Sequence, residues 1–333
     1  MRTTTRPSLY FTDRGEGQPV LLITGWMISS AVFDPIAHLY VPHVRVIAHD
    51  HRGTGRSERW SRPVSAALLA ADAARVLDEL GIEHAHVVGV SLGAAVALEL
   101  AVRMPHRVRS LVLVGGGAGG PRTALPSVGE AIATATAVAR ESSGRRGLWP
   151  AAALFSSGFR AERPDVVAEY VPYFVSDLAP VVAGSWQLLA VSCFSRQGSL
   201  HQVRAPTLIV HGGADKMVAP ANAAQLARAI PDVKLHIATG AGHAVPLERP
   251  EATSRLLLDW FEAQRHRRPA ACGRRDLLTE RMSRPFSLVS GSARNARDAV
   301  TLALRLPHAR TLAAAGALRG RLTDAPTGAH DHA

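Results

Sequence analysis

Cysteine is scarce. The 333 residues hold two, Cys193 and Cys272, which is too few for a disulfide framework, and neither lies beside a metal-ligand pattern. No window approaches the roughly 18 consecutive apolar residues that a membrane-spanning helix needs. The N-terminus, Met1-Arg2-Thr3-Thr4-Thr5-Arg6-Pro7, starts with positive charge, but no apolar run follows, so the sequence carries no secretory signal pattern. These absences point to a cytoplasmic protein with no cofactor and no metal. The sequence leaves the oligomeric state open.

What is present is apolar bulk and a lopsided charge. Apolar residues make up 47% of the chain, enough to bury a full core in one large domain or two small ones. Residues 266–333 carry 12 Arg against 5 Asp or Glu, so +7 of the net +11 sits there and +4 in the first 265 residues. That basic stretch lacks aromatic interleaving and any recognisable module, which argues against nucleic acid as a partner. A contact between this tail and an acidic surface stays open.

The most informative run is Gly89-Val90-Ser91-Leu92-Gly93. The apolar His86-Val87-Val88 before it reads as a buried strand, and Ala94 to Ala101 after it reads as a helix. A serine between spaced glycines at a strand-to-helix switch is the nucleophile-elbow pattern. The turn is sharp enough to strain the serine backbone. The flanking glycines remove side chains where strand and helix must approach. Ser91 then stands at a helix N-terminus, where free N–H groups favour developing negative charge.

A serine hydroxyl is a weak nucleophile and needs a base. Among 15 histidines, His243 is the candidate, because it sits in the short glycine loop Thr239-Gly240-Ala241-Gly242-His243 after the apolar strand Val233 to Ile237. Asp215 is the candidate to orient the imidazole. It follows another apolar strand, Pro206 to Val210, and a glycine turn. An ordinary turn aspartate and a surface loop histidine are the plain alternatives. Three separate loops, each after an apolar strand, agree better with a triad. For an oxyanion hole two backbone donors are needed. The Leu92 N–H is one candidate, and the Trp26 N–H, in the loop Gly25-Trp26-Met27 after the strand Val20 to Thr24, is the other.

Along the chain, Ser8 to Thr12 with the turn Asp13 to Gly17 reads as an edge strand and hairpin. Strands are expected at 20–24, 44–48, 86–89, 109–114, 207–211 and 233–238. Helices are expected at about 65–80, 92–103, 220–229 and 250–264, with Pro220 and Pro250 in their first turns. This alternation argues for an α/β fold with a mostly parallel, doubly wound sheet. Right-handed crossovers then bring the three loops to one edge. Between Gly115 and about Gln202 the pattern turns helical and gathers Trp149, Phe155, Phe159, Tyr170, Tyr173, Phe174, Trp186 and Phe194. That segment is too long for a bare loop. The expected organisation is therefore a core of 1–117 and 203–265, a helical insertion over 118–202, and a basic tail over 266–333, partly disordered with marginal helix.

These motifs carry a resemblance. Ile23-Thr24-Gly25-Trp26, Asp50-His51-Arg52-Gly53-Thr54-Gly55-Arg56-Ser57, Gly89 to Gly93, Gly213-Ala214-Asp215 and Gly242-His243 resemble the α/β-hydrolase superfamily, in its serine esterase and perhydrolase-like branch, over roughly residues 8 to 265. The order Ser, Asp, His is also that of this superfamily. The resemblance implies a catalytic triad of Ser91, Asp215 and His243, with the insertion as a cap over an apolar pocket. It implies a structural role for Asp50 and Arg52 in tying loops together. Most relatives carry His-Gly where this chain has Thr24-Gly25, and Thr24 is smaller and cannot make the same contacts. Ser91 in place of an elbow aspartate favours acyl chemistry. The expected function is hydrolysis of a small apolar carboxylic ester or lactone, or a related carbonyl compound, through an acyl-enzyme. Carbon–carbon hydrolysis of a diketone-like substrate is one alternative, and a non-catalytic receptor on the same fold is another.

Overall fold

The computed structural model describes residues 1–124 and 149–271. Seven strands form one sheet: β1 (Phe11–Arg14), β2 (Pro19–Ile23), β3 (Arg45–His49), β4 (Ala85–Val90), β5 (Val108–Val114), β6 (Thr207–Gly212) and β7 (Val233–Ala238). Their order across the sheet is β1-β3-β2-β4-β5-β6-β7. Every neighbouring pair is parallel except β1 with β3. The central strands read as near-continuous apolar runs because helices cover both faces.

One face packs against α1 (Ala66–Glu79) and α2 (Leu92–Arg103). Ser65 caps α1, its hydroxyl accepting the Leu68 N–H at 3.1 Å, and Leu69, Ala73, Val76 and Leu77 form the buried side of that helix. Helix α2 is buried along most of its length. Its alanines let it lie close to β4 and β5, which a helix of larger side chains could not do. The opposite face carries a 3-10 segment (Ser30–Leu39) and, near the C-terminal end of the body, α9 (Pro250–Ala263), whose Leu257, Trp260 and Phe261 join the second apolar cluster. Between β5 and β6 lie α3 (Trp149–Leu154), α4 (Ser157–Glu162), α5 (Pro164–Val175) and α6 (Val181–Ser192). Helix α7 (Ala221–Ala229) joins β6 to β7, and the short α8 (Val245–Glu248) precedes α9.

Most expected elements appear within a residue or two of their places. The N-terminal hairpin does not. β1 is Phe11–Arg14, and it pairs with β3 rather than β2. The stretch before it is taken by side chains: the Ser8 N–H donates to Glu58 at 2.8 Å and the Tyr10 N–H to the Ser57 hydroxyl at 2.9 Å. Nor does Pro220 stand inside its helix; it precedes Ala221 as the cap residue, whereas Pro250 is the first helical residue. β7 is the sheet edge, so its apolar Leu235 and Ile237 stay exposed. Of the aromatics in the expected insertion, Phe155 packs against Phe159, Tyr170 and Phe174, with ring centres 5.6 to 6.2 Å apart. Phe194 belongs to the first apolar cluster beneath α2. The expected partly disordered, marginally helical tail lies outside the described residues from Cys272 onward. So does the part of the expected insertion from Leu125 to Leu148. No helix among the described residues is long and apolar enough to cross a membrane.

Candidate active site

The loops that follow β2, β4, β6 and β7 open at one end of the sheet. Ser91 joins β4 to α2 with φ 57° and ψ −116°, the strained backbone that the elbow pattern predicts. The two glycines are required by packing. A Cβ on Gly89 would collide with the Gly93 carbonyl, and one on Gly93 would lie 2.6 Å from the Thr24 oxygen and strike that of Ile23. The Ser91 N–H is held by the Val114 carbonyl at 2.9 Å. Its side chain faces a narrow cavity.

That cavity measures about 80 Å³, and Ser91 and His243 both line it. Trp26, Phe33, Phe174 and Met217 supply apolar walls. Among the described residues that line it, none carries a carboxylate, guanidinium or ammonium group. His243 Nδ1 lies 2.7 Å from Asp215 Oδ2, and both residues are buried. Gly115, at φ +58°, leaves room for the imidazole; a Cβ there would lie 3.1 Å from the His243 ring. Asp215 Oδ1 accepts the N–H groups of Met217 (2.8 Å) and Val218 (2.9 Å). Burial pushes the Asp215 carboxyl up, but His243, His211 and the Val218 N–H together outweigh it and hold the group well below the usual carboxylate range. Asp215 is therefore an anion at neutral pH, able to fix the imidazole and offset a positive charge on it.

The His243 loop is held by a residue that sequence reading passed over. Glu248 is buried; its Oε1 accepts the N–H of Gly242 (2.9 Å) and of Ser156 (2.6 Å), and its Oε2 accepts the Ser156 hydroxyl (2.9 Å). The Ala244 N–H adds a bond to the Leu154 carbonyl. A lone glutamate after a glycine loop has no motif, so nothing in the sequence marks it.

Asp50 and Arg52 are structural, as the resemblance implies. Asp50 Oδ1 accepts from the backbone and hydroxyl of Ser30, and Oδ2 from the Arg56 N–H at 2.8 Å. Arg52 makes a two-pronged ion pair with the buried Asp72, both bonds 2.5 Å. A second serine–histidine pair exists, His86 Nδ1 to Ser110 Oγ at 2.7 Å. It sits within the sheet on neighbouring strands β4 and β5, away from the cavity lining. Burial, with Arg109 and His84, pushes the His86 imidazole down to about 3, so it cannot serve as a base near neutrality. No cluster of three His, Cys, Asp or Glu suited to a metal occurs among the described residues.

A family model described as alpha/beta hydrolase fold matches residues 18–250. The chain belongs to the α/β-hydrolase family. A protein of Azorhizobium caulinodans provisionally named carbamate hydrolase RutD is 32% identical over 259 residues, spanning 75% of this chain and 93% of that one. The 2-hydroxy-6-oxononadienedioate/2-hydroxy-6-oxononatrienedioate hydrolase 2 of Pseudomonas putida is 30% identical over 273 residues, spanning 76% of this chain and 91% of that one. The solved structure of a thermophilic esterase from Thermogutta terrifontis has a TM-score of 0.65 at 24% identity, covering 79% of this chain and 99% of that one. This α/β hydrolase is an enzyme.

Proposed function

We propose that this α/β hydrolase is a serine hydrolase of a neutral carboxylic ester or lactone. The supporting observation is the convergence of the strained Ser91 and the Asp215–His243 pair on one cavity whose described walls carry no charged group. In this reading His243 takes the Ser91 proton as Oγ attacks the substrate carbonyl. Asp215 fixes the ring and offsets its charge. The Trp26 and Leu92 N–H groups, which bond to no acceptor among the described residues, receive the oxyanion. The leaving alcohol takes the proton back from His243, and water activated by the same ring resolves the acyl-enzyme. Helices α3 to α6 act as the cap that encloses the bound acyl group and limits the site to the water that His243 activates.

The P. putida relative favours a second reading, carbon–carbon hydrolysis with the same triad. That relative's named substrate carries two carboxylates. Among the described residues the cavity lining offers no Arg or Lys to receive them, and an unpaired carboxylate buried in apolar surroundings is strongly disfavoured. The uncharged ester or lactone is therefore the better fit.

Labelling with a fluorophosphonate followed by mass spectrometry tests the nucleophile. Label on Ser91 alone is expected, with none on Ser91→Ala, and Ser91→Ala should lose on the order of 10³-fold or more in kcat. A series of p-nitrophenyl esters tests the acyl site: each added methylene should improve binding by about 0.8 kcal/mol, roughly fourfold, until the cavity is full. Full turnover by Ser91→Ala would refute the assignment. Preferred turnover of a dianionic diketone over all esters would favour the second reading.

A further inference from the structure

The loop that carries the Trp26 N–H lacks the histidine that Thr24 replaces, yet it holds an unusual backbone. Met27 has φ 63°, a left-handed conformation that a side chain such as methionine adopts only where the surroundings impose it. Those surroundings come from the segment between β5 and β6. The Met27 N–H donates to Gln187 Oε1 at 2.9 Å, and the Met27 carbonyl accepts from the Ala179 N–H at 2.9 Å. Gln187, on α6, is 1% exposed. Its amide nitrogen donates to the Thr54 hydroxyl at 2.8 Å, so the side chain is itself held from behind by the Asp50–Ser57 turn. One helical turn earlier, the Gly184 carbonyl accepts the Trp26 indole N–H at 2.7 Å. A Cβ on Gly184 would lie 2.7 Å from the Met27 sulfur, so α6 rests directly on the loop. From the other side, His51 Nε2 lies 3.1 Å from the Thr24 carbonyl.

We propose that Gln187 is a positioning residue for the oxyanion hole: it fixes the Trp26–Met27 segment so that the Trp26 N–H points at the developing oxyanion. This rests on the serine-hydrolase reading above. The side chain of Gln187 satisfies both requirements of such a post. Its oxygen takes the Met27 N–H, next in the chain to the Trp26 N–H, and its nitrogen anchors it to the turn that holds Thr54. A consequence is that α6 is part of the catalytic scaffold rather than a detachable cover.

The test compares Gln187→Met with Gln187→Glu, beside wild type and Ser91→Ala. Methionine keeps the length but can neither accept the Met27 N–H nor bond Thr54. Glutamate keeps the acceptor, and the Thr54 hydroxyl can turn to donate to it. Hydrolysis of p-nitrophenyl acetate is followed for kcat and KM, and hydrogen exchange for the Met27 amide. A donor misplaced rather than removed should lower kcat by about 10- to 100-fold in Gln187→Met, with KM changed less than about threefold. Gln187→Glu should recover most of the loss. The Met27 amide should exchange faster in Gln187→Met and stay protected in Gln187→Glu. An unchanged kcat in Gln187→Met, with Ser91→Ala inactive, would overturn the role of Gln187 alone. Equal losses in both Gln187 variants, tracking a lowered melting temperature, would also overturn it by making the residue merely structural. Retained turnover in Ser91→Ala would remove the underlying serine reading, and the role of Gln187 with it.

Discussion

Acid should unfold this protein early, and His49 is a main reason. The residue ends β3 with no exposed surface, and neither ring nitrogen has a hydrogen-bond partner among the described residues. Burial, and then the nearby His51, push its imidazole down to about 3. An unfolded histidine titrates near 6.5. The unfolded chain therefore binds a proton that the folded chain refuses, and the stability present above pH 6.5 falls as pH drops toward 3. The slope is about 1.4 kcal/mol per pH unit for one such group. At pH 5 the loss from His49 is roughly 2 kcal/mol. His86, also unexposed and pushed down to about 3 by burial and by Arg109 and His84, adds a similar amount. Together they remove about 4 kcal/mol at pH 5, a large share of the 5–15 kcal/mol that holds a typical domain. The perturbation is His49→Leu, which fills a similar volume and cannot titrate. Urea unfolding of both proteins at pH 7.5, 6.5, 5.5 and 5.0 should show the variant gaining about 2 kcal/mol on the wild type between the first and last condition. Parallel stability curves for the two proteins would refute the reasoning. His49→Gln gives a second, polar variant with the same expected flattening.

Three further substitutions separate packing from backbone strain and from charge burial. Gly93→Ala drives a methyl into the Ile23 and Thr24 carbonyls, so it should displace the end of β2 and cost more than Gly81→Ala. Gly81 has φ +64° and nothing within 4 Å, and its replacement should cost only the left-handed penalty of about 1–2 kcal/mol; equal melting temperatures for the two variants would contradict this. Asp72→Ala strands the buried Arg52 guanidinium, which is left with the Trp60 ring 4.5 Å away, and should destabilise by about 3–5 kcal/mol. A loss under about 1 kcal/mol in urea unfolding would mean that Arg52 finds water or another partner.

The local chemistry of this protein is written in its sequence wherever backbone geometry restricts the residue. Gly89 and Gly93 are legible because only glycine lets β4, α2 and the end of β2 approach so closely. The strands are legible because a sheet covered on both faces demands apolar runs, and Ser91 and the loops bearing Asp215 and His243 are found by their position after those runs. Other features depend on which elements become neighbours. β1 sits beside β3, with the N–H groups before it taken up by the side chains of Ser57 and Glu58, an arrangement that no local pattern encodes. Gln187 and Glu248 are single polar residues in otherwise unremarkable helices. Each acquires its place across 160 residues (Gln187 with Met27) or 92 residues (Glu248 with Ser156) of intervening chain. The depressed His49 and His86 follow from burial, which composition does not report. The sequence by itself determined the alternation of elements and the candidate triad, because turns and periodicity are local. Only the tertiary structure decided what holds the Trp26–Met27 and His243 loops in place, because a hydrogen bond between distant segments exists only after they have packed.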